Sequence, residues 1–107
     1  MNFDWLPEFK RVNGCPWAGS DFYKYGLSES EALYAWTLVK IEANTLGWVR
    51  EILSSSKDQV FGIEDTWIET KAEQVIFSEP LISKSLEYRC SREQFFRNLR
   101  YWEENGL

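Results

Sequence analysis

The sequence predicts an α+β domain in which a long central helix and a C-terminal helix pack on a small antiparallel sheet. Three observations carry this. Helical spacing of apolar residues runs through Ser28–Ser56, strand-like alternation replaces it from Val60 onward, and a capped amphipathic segment closes the chain from Ser91. At 107 residues, 44% hydrophobic and 27% charged, residues 1–107 make a single globular domain with room for one core.

The first 26 residues are aromatic but irregular. Pro7, Gly14, Pro16 and Gly19 interrupt any period, which places Trp5, Phe9, Trp17, Phe22 and Tyr23 on turns and short extended pieces lying over the core. The segment NGCPW has turn composition, and Phe22, Tyr23 and Tyr25 leave a short strand before Gly26 as an equal alternative. Ser28 and Glu31 then stand in capping-box spacing and open the central helix. Leu38, Ile41, Trp48 and Ile52 fall on one face, with Ala35, Val39, Val49 and Leu53 beside it, a stripe broad enough to require a cover. Asn44, Thr45 and Gly47 are poor helix formers, so the helix either kinks there or divides, with Asn44 or Thr45 capping its second half. A strand over Ala35–Ala43 is the rival reading, and the sustained 3.6-residue spacing argues against it.

After the SSSKD segment the period changes to two. Val60–Glu64 and Thr66–Thr70 form strands, with Trp67 and Glu69 on the solvent side and Thr66, Ile68 and Thr70 on the other. Lys71–Glu73 makes a hairpin connection to a strand at Gln74–Ser78, Pro80 ends it or marks an edge, and Leu86–Cys90 supplies a further strand. The connections are too short for crossovers, so the pairing is antiparallel. Ser91 and Gln94 repeat the capping-box pattern, Phe95, Leu99 and Trp102 line one helical face, and Gly106 suits a C-terminal cap.

The chemistry-bearing residues are sparse. With no histidine in the chain, the commonest general base and zinc ligand is missing, and no phosphate-cradling glycine loop is present. No catalytic residue, metal ligand or cofactor is assigned, and the protein is expected not to be an enzyme. Cys15 and Cys90 are too few and too far apart for a disulfide framework or a zinc site; they are expected to be reduced, partly buried thiols. The N-terminus MNFDWLPEFK lacks the basic start and apolar centre of a signal peptide, and no run approaches a membrane span, so the expected location is the cytoplasm.

Net charge is −5 and the pI near 4.8, which disfavours nucleic acid and anionic membranes as partners. Asp58, Glu64, Asp65, Glu69, Glu73 and Glu79 face the single base Lys71, a balance of −5 within about a fifth of the chain. A solvated face that keeps the protein soluble is one reading. The other is a surface for a basic partner, with Glu64, Asp65, Trp67, Glu69 and Glu73 as its members: an aromatic anchor set among carboxylates that steer encounter. A divalent-metal or general-acid site is a third, although the DxDxDG spacing of a calcium loop is missing. From Lys84 to Tyr101 five bases oppose two acids, a balance of +3, which suits a solvated or salt-bridged helix better than a nucleic-acid helix.

The C-terminal segment SREQFFRNLRYWEE resembles the closing element of small bacterial toxin-immunity proteins, including those of contact-dependent growth inhibition systems, which often end in S-x-x-x-F-x-x-x-L-x-x-W. Ser91, Phe95, Leu99 and Trp102 match that pattern. The resemblance covers about fifteen residues, with size, acidity and aromatic richness in addition, and carries over no functional residues. It implies a bacterial protein that binds a cognate toxin domain, often a basic nuclease, and occludes its active site or substrate groove. The alternatives are a non-catalytic adaptor or regulatory module using the same exposed aromatics, and a small metal-dependent hydrolase built on Glu64 and Glu69. Exposed edge strands leave a homodimer open.

Overall fold

A computed structural model describes residues 3–13, 22, 24–55, 57–79 and 83–105. Among the described residues, four helices, α1 (Leu6–Asn13), α2 (Glu29–Lys40), α3 (Ala43–Ser54) and α4 (Arg92–Asn105), accompany four strands, β1 (Gln59–Ile63), β2 (Thr66–Lys71), β3 (Gln74–Glu79) and β4 (Ser83–Ser91). The strands form one antiparallel meander in the order β1-β2-β3-β4. The α+β class and the antiparallel pairing therefore stand as the sequence predicts.

Alternation along β2 is strict. Thr66, Ile68 and Thr70 are buried and Trp67, Glu69 and Lys71 are exposed, because neighbouring side chains on a strand point to opposite faces. Register carries that choice across the sheet: Ile68 pairs with Phe61 and Phe77, and Phe77 with Tyr88. The helices lie on this inner face. α2 packs against β3 and β4 with α1 beside it, and α3 packs on α4. Every residue of α2 from Ala32 to Lys40 is buried, so α2 is the element that the rest of the fold surrounds.

The central helix is two helices. Ser28 caps α2 through the complete capping box, its Oγ accepting from the Glu31 amide at 3.2 Å and its own amide donating to Glu31 Oε1 at 3.0 Å. The amide hydrogen bond holds the Glu31 carboxyl below its ordinary pKa. The chain then leaves the helix at Ile41 and Glu42, both extended. The break lies ahead of Asn44 and Thr45, and Glu42 takes the N-cap position of α3 without a side-chain cap bond. The Ile41 carbonyl, freed by the break, accepts from Lys10 Nζ at 3.4 Å and Trp102 Nε1 at 3.5 Å. Tertiary donors thus take up a group that a continuous helix would have satisfied. The break also re-phases α3: Leu46, Val49 and Leu53 are buried, and Trp48, expected on the core face, is 45% exposed.

The N-terminal region is more regular than its composition suggests. Pro7 sits in the first turn of α1, where a missing N–H costs no helical bond. The aromatics do cover the core, as expected: Phe3 meets Tyr34 edge-on at 5.1 Å, Phe9 meets Phe22 at 4.9 Å, and Trp5 stacks on Tyr25 at 4.4 Å. Phe22, Lys24 and Tyr25 lie in 3₁₀ geometry, not a strand, ending at Gly26 with φ 75°. Asn13, the first residue of the NGCPW segment, ends α1, while the rest of that segment, including Cys15 and Trp17, falls outside the described residues, as do Tyr23, Pro80 and the Gly106 cap.

At the other end, Ser91 Oγ accepts from the Gln94 amide at 3.0 Å and caps α4. Gln94 does not return the bond and instead donates to Tyr88 Oη at 2.9 Å. Phe95, Leu99 and Trp102 form the buried face as predicted. Cys90 is a buried thiol, its pKa pushed up to about 12 by that burial.

Candidate functional site

One face of the sheet is packed and the other is open. Along β1 to β4 the outward positions align in two rows across the strands, Val60–Glu69–Ile76–Arg89 and Gly62–Trp67–Ser78–Glu87. No described element covers them. Val60 is exposed, Ile76 half-buried, and Trp67 is 52% exposed. The glycine opposite Trp67 supplies no side chain to shelter its ring. Charge surrounds this apolar centre: Glu69 beside it, and Glu87 paired with Arg89 at 2.9 Å along β4.

The β1–β2 turn ends this face. It is a two-residue connection in which Glu64 takes φ 53°, a left-handed conformation that such turns usually assign to glycine or asparagine. Glu64 is exposed, and Asp65 turns inward. Lys40 Nζ lies 2.9 Å from Asp65 Oδ1, 2.9 Å from Thr66 Oγ1 and 4.0 Å from the centre of the Trp36 ring. The Lys40 side chain is 1% exposed, so its charge is held by these three partners. Burial opposes ionisation of Asp65, but hydrogen bonding and charge interaction with Lys40 outweigh it and keep the carboxyl below its ordinary value.

Glu79 completes the cluster from the inner face of β3. It is 2% exposed, and its Oε2 has no partner. Burial, then a hydrogen bond and charge repulsion from Asp65, push its pKa up from 4.5 to about 7. Two carboxyls and one lysine thus share a pocket in which a single negative charge is matched. The cluster ties the C-terminus of α2 to the β1–β2 turn.

The predicted acidic surface is therefore not one surface. Trp67 and Glu69 stand together on the open face, with Glu64 at its end. Asp65 is committed to Lys40, Glu79 faces the core, and Glu73 lies on the β2–β3 turn at the opposite end of β2. Asp58 caps that turn, accepting from the Ala72 amide at 2.9 Å. Among the described residues no three His, Cys, Asp or Glu side chains are grouped so as to hold a metal ion.

No family model, curated protein or solved structure matches the chain. The site is therefore defined by its own residues. Val60 and Ile76 were not among the predicted members, although period-two counting from Trp67 places both outward once the register is known. Among the described residues no helix is long and apolar enough to cross a membrane.

The basic C-terminal stretch is divided in the same way. Arg92 donates through Nε to the Ala72 carbonyl, through Nη1 to Ser55 O at 2.8 Å and through Nη2 to Lys57 O at 3.4 Å. It clamps the β2–β3 turn and the α3–β1 connection to the start of α4. Arg100 pairs with Glu104 at 3.4 Å, and Arg50 with Glu103.

Proposed function

We propose that this protein is an immunity protein: a non-catalytic inhibitor that binds a cognate bacterial toxin domain and occludes its active site or substrate groove. The observation that carries the proposal is the uncovered outer face of the sheet, with Trp67 exposed at its centre and Glu69 and Glu64 around it. A half-open tryptophan on a rigid strand is the kind of anchor that dominates interface energies, because burying it on binding removes a large ring from water at little entropic cost. The carboxylates suit a basic partner such as a nuclease, raising the association rate while the ring slows dissociation.

The test is calorimetry against the C-terminal domain encoded by the neighbouring upstream gene, together with growth on co-expression. Tight binding with rescued growth is expected. Trp67→Ala combined with Glu69→Lys should weaken binding at least tenfold, about 1.4 kcal/mol or more. Asp65 is unsuitable for charge reversal because its carboxylate holds Lys40. Unchanged affinity in the Trp67/Glu69 variant refutes the assignment of this face, and binding without rescue points to an adaptor.

A further inference from the structure

A groove of about 400 Å³ runs between the first turns of α3 and the end of β1. Asn44 and Trp48 line it from α3, Gly62 and Glu64 from β1 and the turn that follows, and Lys40 and Glu42 from the end of α2 and the α2–α3 connection. Gly62 is also the cross-strand neighbour of Trp67, so the groove adjoins the open sheet face around the edge strand.

We infer that this groove receives an arginine side chain of a basic partner, its guanidinium lying against the Trp48 indole between the Glu42 and Glu64 carboxylates. The inference rests on the proposed partner class and adds a subsite to it. Charge selects the ligand. Lys40 is neutralised by Asp65 at 2.9 Å, whereas no ion pair is formed by Glu42 or Glu64 among the described residues. The N-terminus of α3 contributes roughly half a positive charge, fewer than the two carboxylates supply, so the groove is negative on balance. The aromatic wall then selects among cations. Trp48 meets Phe61 edge-on at 5.4 Å and 82°, which fixes the indole while nearly half of it stays exposed. A planar guanidinium can stack on an indole and still direct its N–H fork at carboxylates, which a hydrated ammonium does less well. A cation held only by carboxylates would call for more acids than the two present here.

The experiment titrates acetyl-arginine amide into the ¹⁵N-labelled full chain and follows the Trp48 indole and the Gly62 and Glu64 amides by NMR. Acetyl-citrulline amide, uncharged and nearly the same shape, is the control. Saturable shifts are expected with arginine and not with citrulline. Glu42→Gln and Glu64→Gln, both away from the core, should each weaken binding by about two- to fivefold, the range of exposed ion pairs. Trp48→Leu should abolish the shifts, and Trp67→Ala should leave them unchanged. Equal shifts with citrulline, or shifts indifferent to both glutamine variants, overturn the inference. With a toxin domain in hand the two proposals separate. Binding lost in Trp67→Ala and retained in Trp48→Leu and both glutamine variants removes the groove and leaves the sheet face standing.

Discussion

Replacing Glu79 by glutamine should make the protein more stable at pH 8 and little changed at pH 5. In the folded chain the Glu79 carboxyl has its pKa raised from 4.5 to about 7. The folded state thus holds a proton that the unfolded state releases, and stability falls as pH rises from about 4.5 through about 7. A rise from 4.5 to about 7 sets a ceiling of about 3 kcal/mol on the effect. Glutamine keeps the shape and a hydrogen-bond donor for Asp65 but cannot ionise, so this part of the slope should vanish. The window is clean, because the chain has no histidine. Asp65 stays ionised throughout, its pKa being lowered. Urea denaturation of both proteins at pH 5, 6, 7 and 8 measures the difference directly. Parallel stability curves across that range would refute a buried, protonated Glu79.

Three further outcomes follow from the fold. Glu64→Gly should stabilise the protein by about 1 kcal/mol in denaturant titrations, since φ 53° strains a side chain but not glycine; a loss of stability would mean the Glu64 side chain makes contacts that outweigh the strain. Ser28→Ala removes the acceptor for the Glu31 amide and should cost about 1 kcal/mol, measured as a lower urea midpoint at unchanged slope. Leu99→Ala, at a position fully buried on α4, should cost about 2–5 kcal/mol, and a smaller loss would show that the surrounding side chains collapse into the space.

How far the sequence discloses this architecture depends on how local each cause is. Thr66 to Thr70 alternate because a strand alternates, so the buried and exposed sides of β2 were legible before any coordinates. The Ser28 and Ser91 caps and the Phe95–Leu99–Trp102 face were equally local. The break at Ile41 was not. Glu42 caps nothing with its side chain, and the freed carbonyl is taken up by Lys10 and Trp102, which lie 31 and 61 residues away in sequence. Lys40 has the same history: a lysine in the last turn of a helix ordinarily reaches water, and only Asp65 and Thr66, brought in by the sheet, explain its burial. α1 was hidden for the opposite reason, since Pro7 was weighed as a breaker although the first turn tolerates it. Of the candidate site, Trp67 and Glu69 followed from strand period alone, whereas the second tryptophan, Trp48, emerged only after the break had turned α3 relative to α2.

Under the proposed function, the buried ion cluster and the open face belong to one design. An interface residue contributes most when its position is set before binding, because ordering a mobile loop subtracts from the gain. Glu64 lies in, and Trp67 just beyond, a two-residue turn that, if tethered only by the edge strand, would fray as hairpin ends do. Lys40 removes that freedom by reaching from the most buried helix to Asp65 inside the turn and Thr66 at the start of β2, and Thr37 Oγ1 approaches Thr66 Oγ1 from the same helix at 3.4 Å. An apolar residue at position 40 could fill the space, but it could not hold a turn whose inward groups are a carboxylate and a hydroxyl. Breaking one partner of such a buried pair leaves the other uncompensated, so the turn is held in a single place, with Trp67 one residue beyond the Lys40–Thr66 bond. The polar core beneath the sheet is thus the reason the apolar centre above it is presented rigidly.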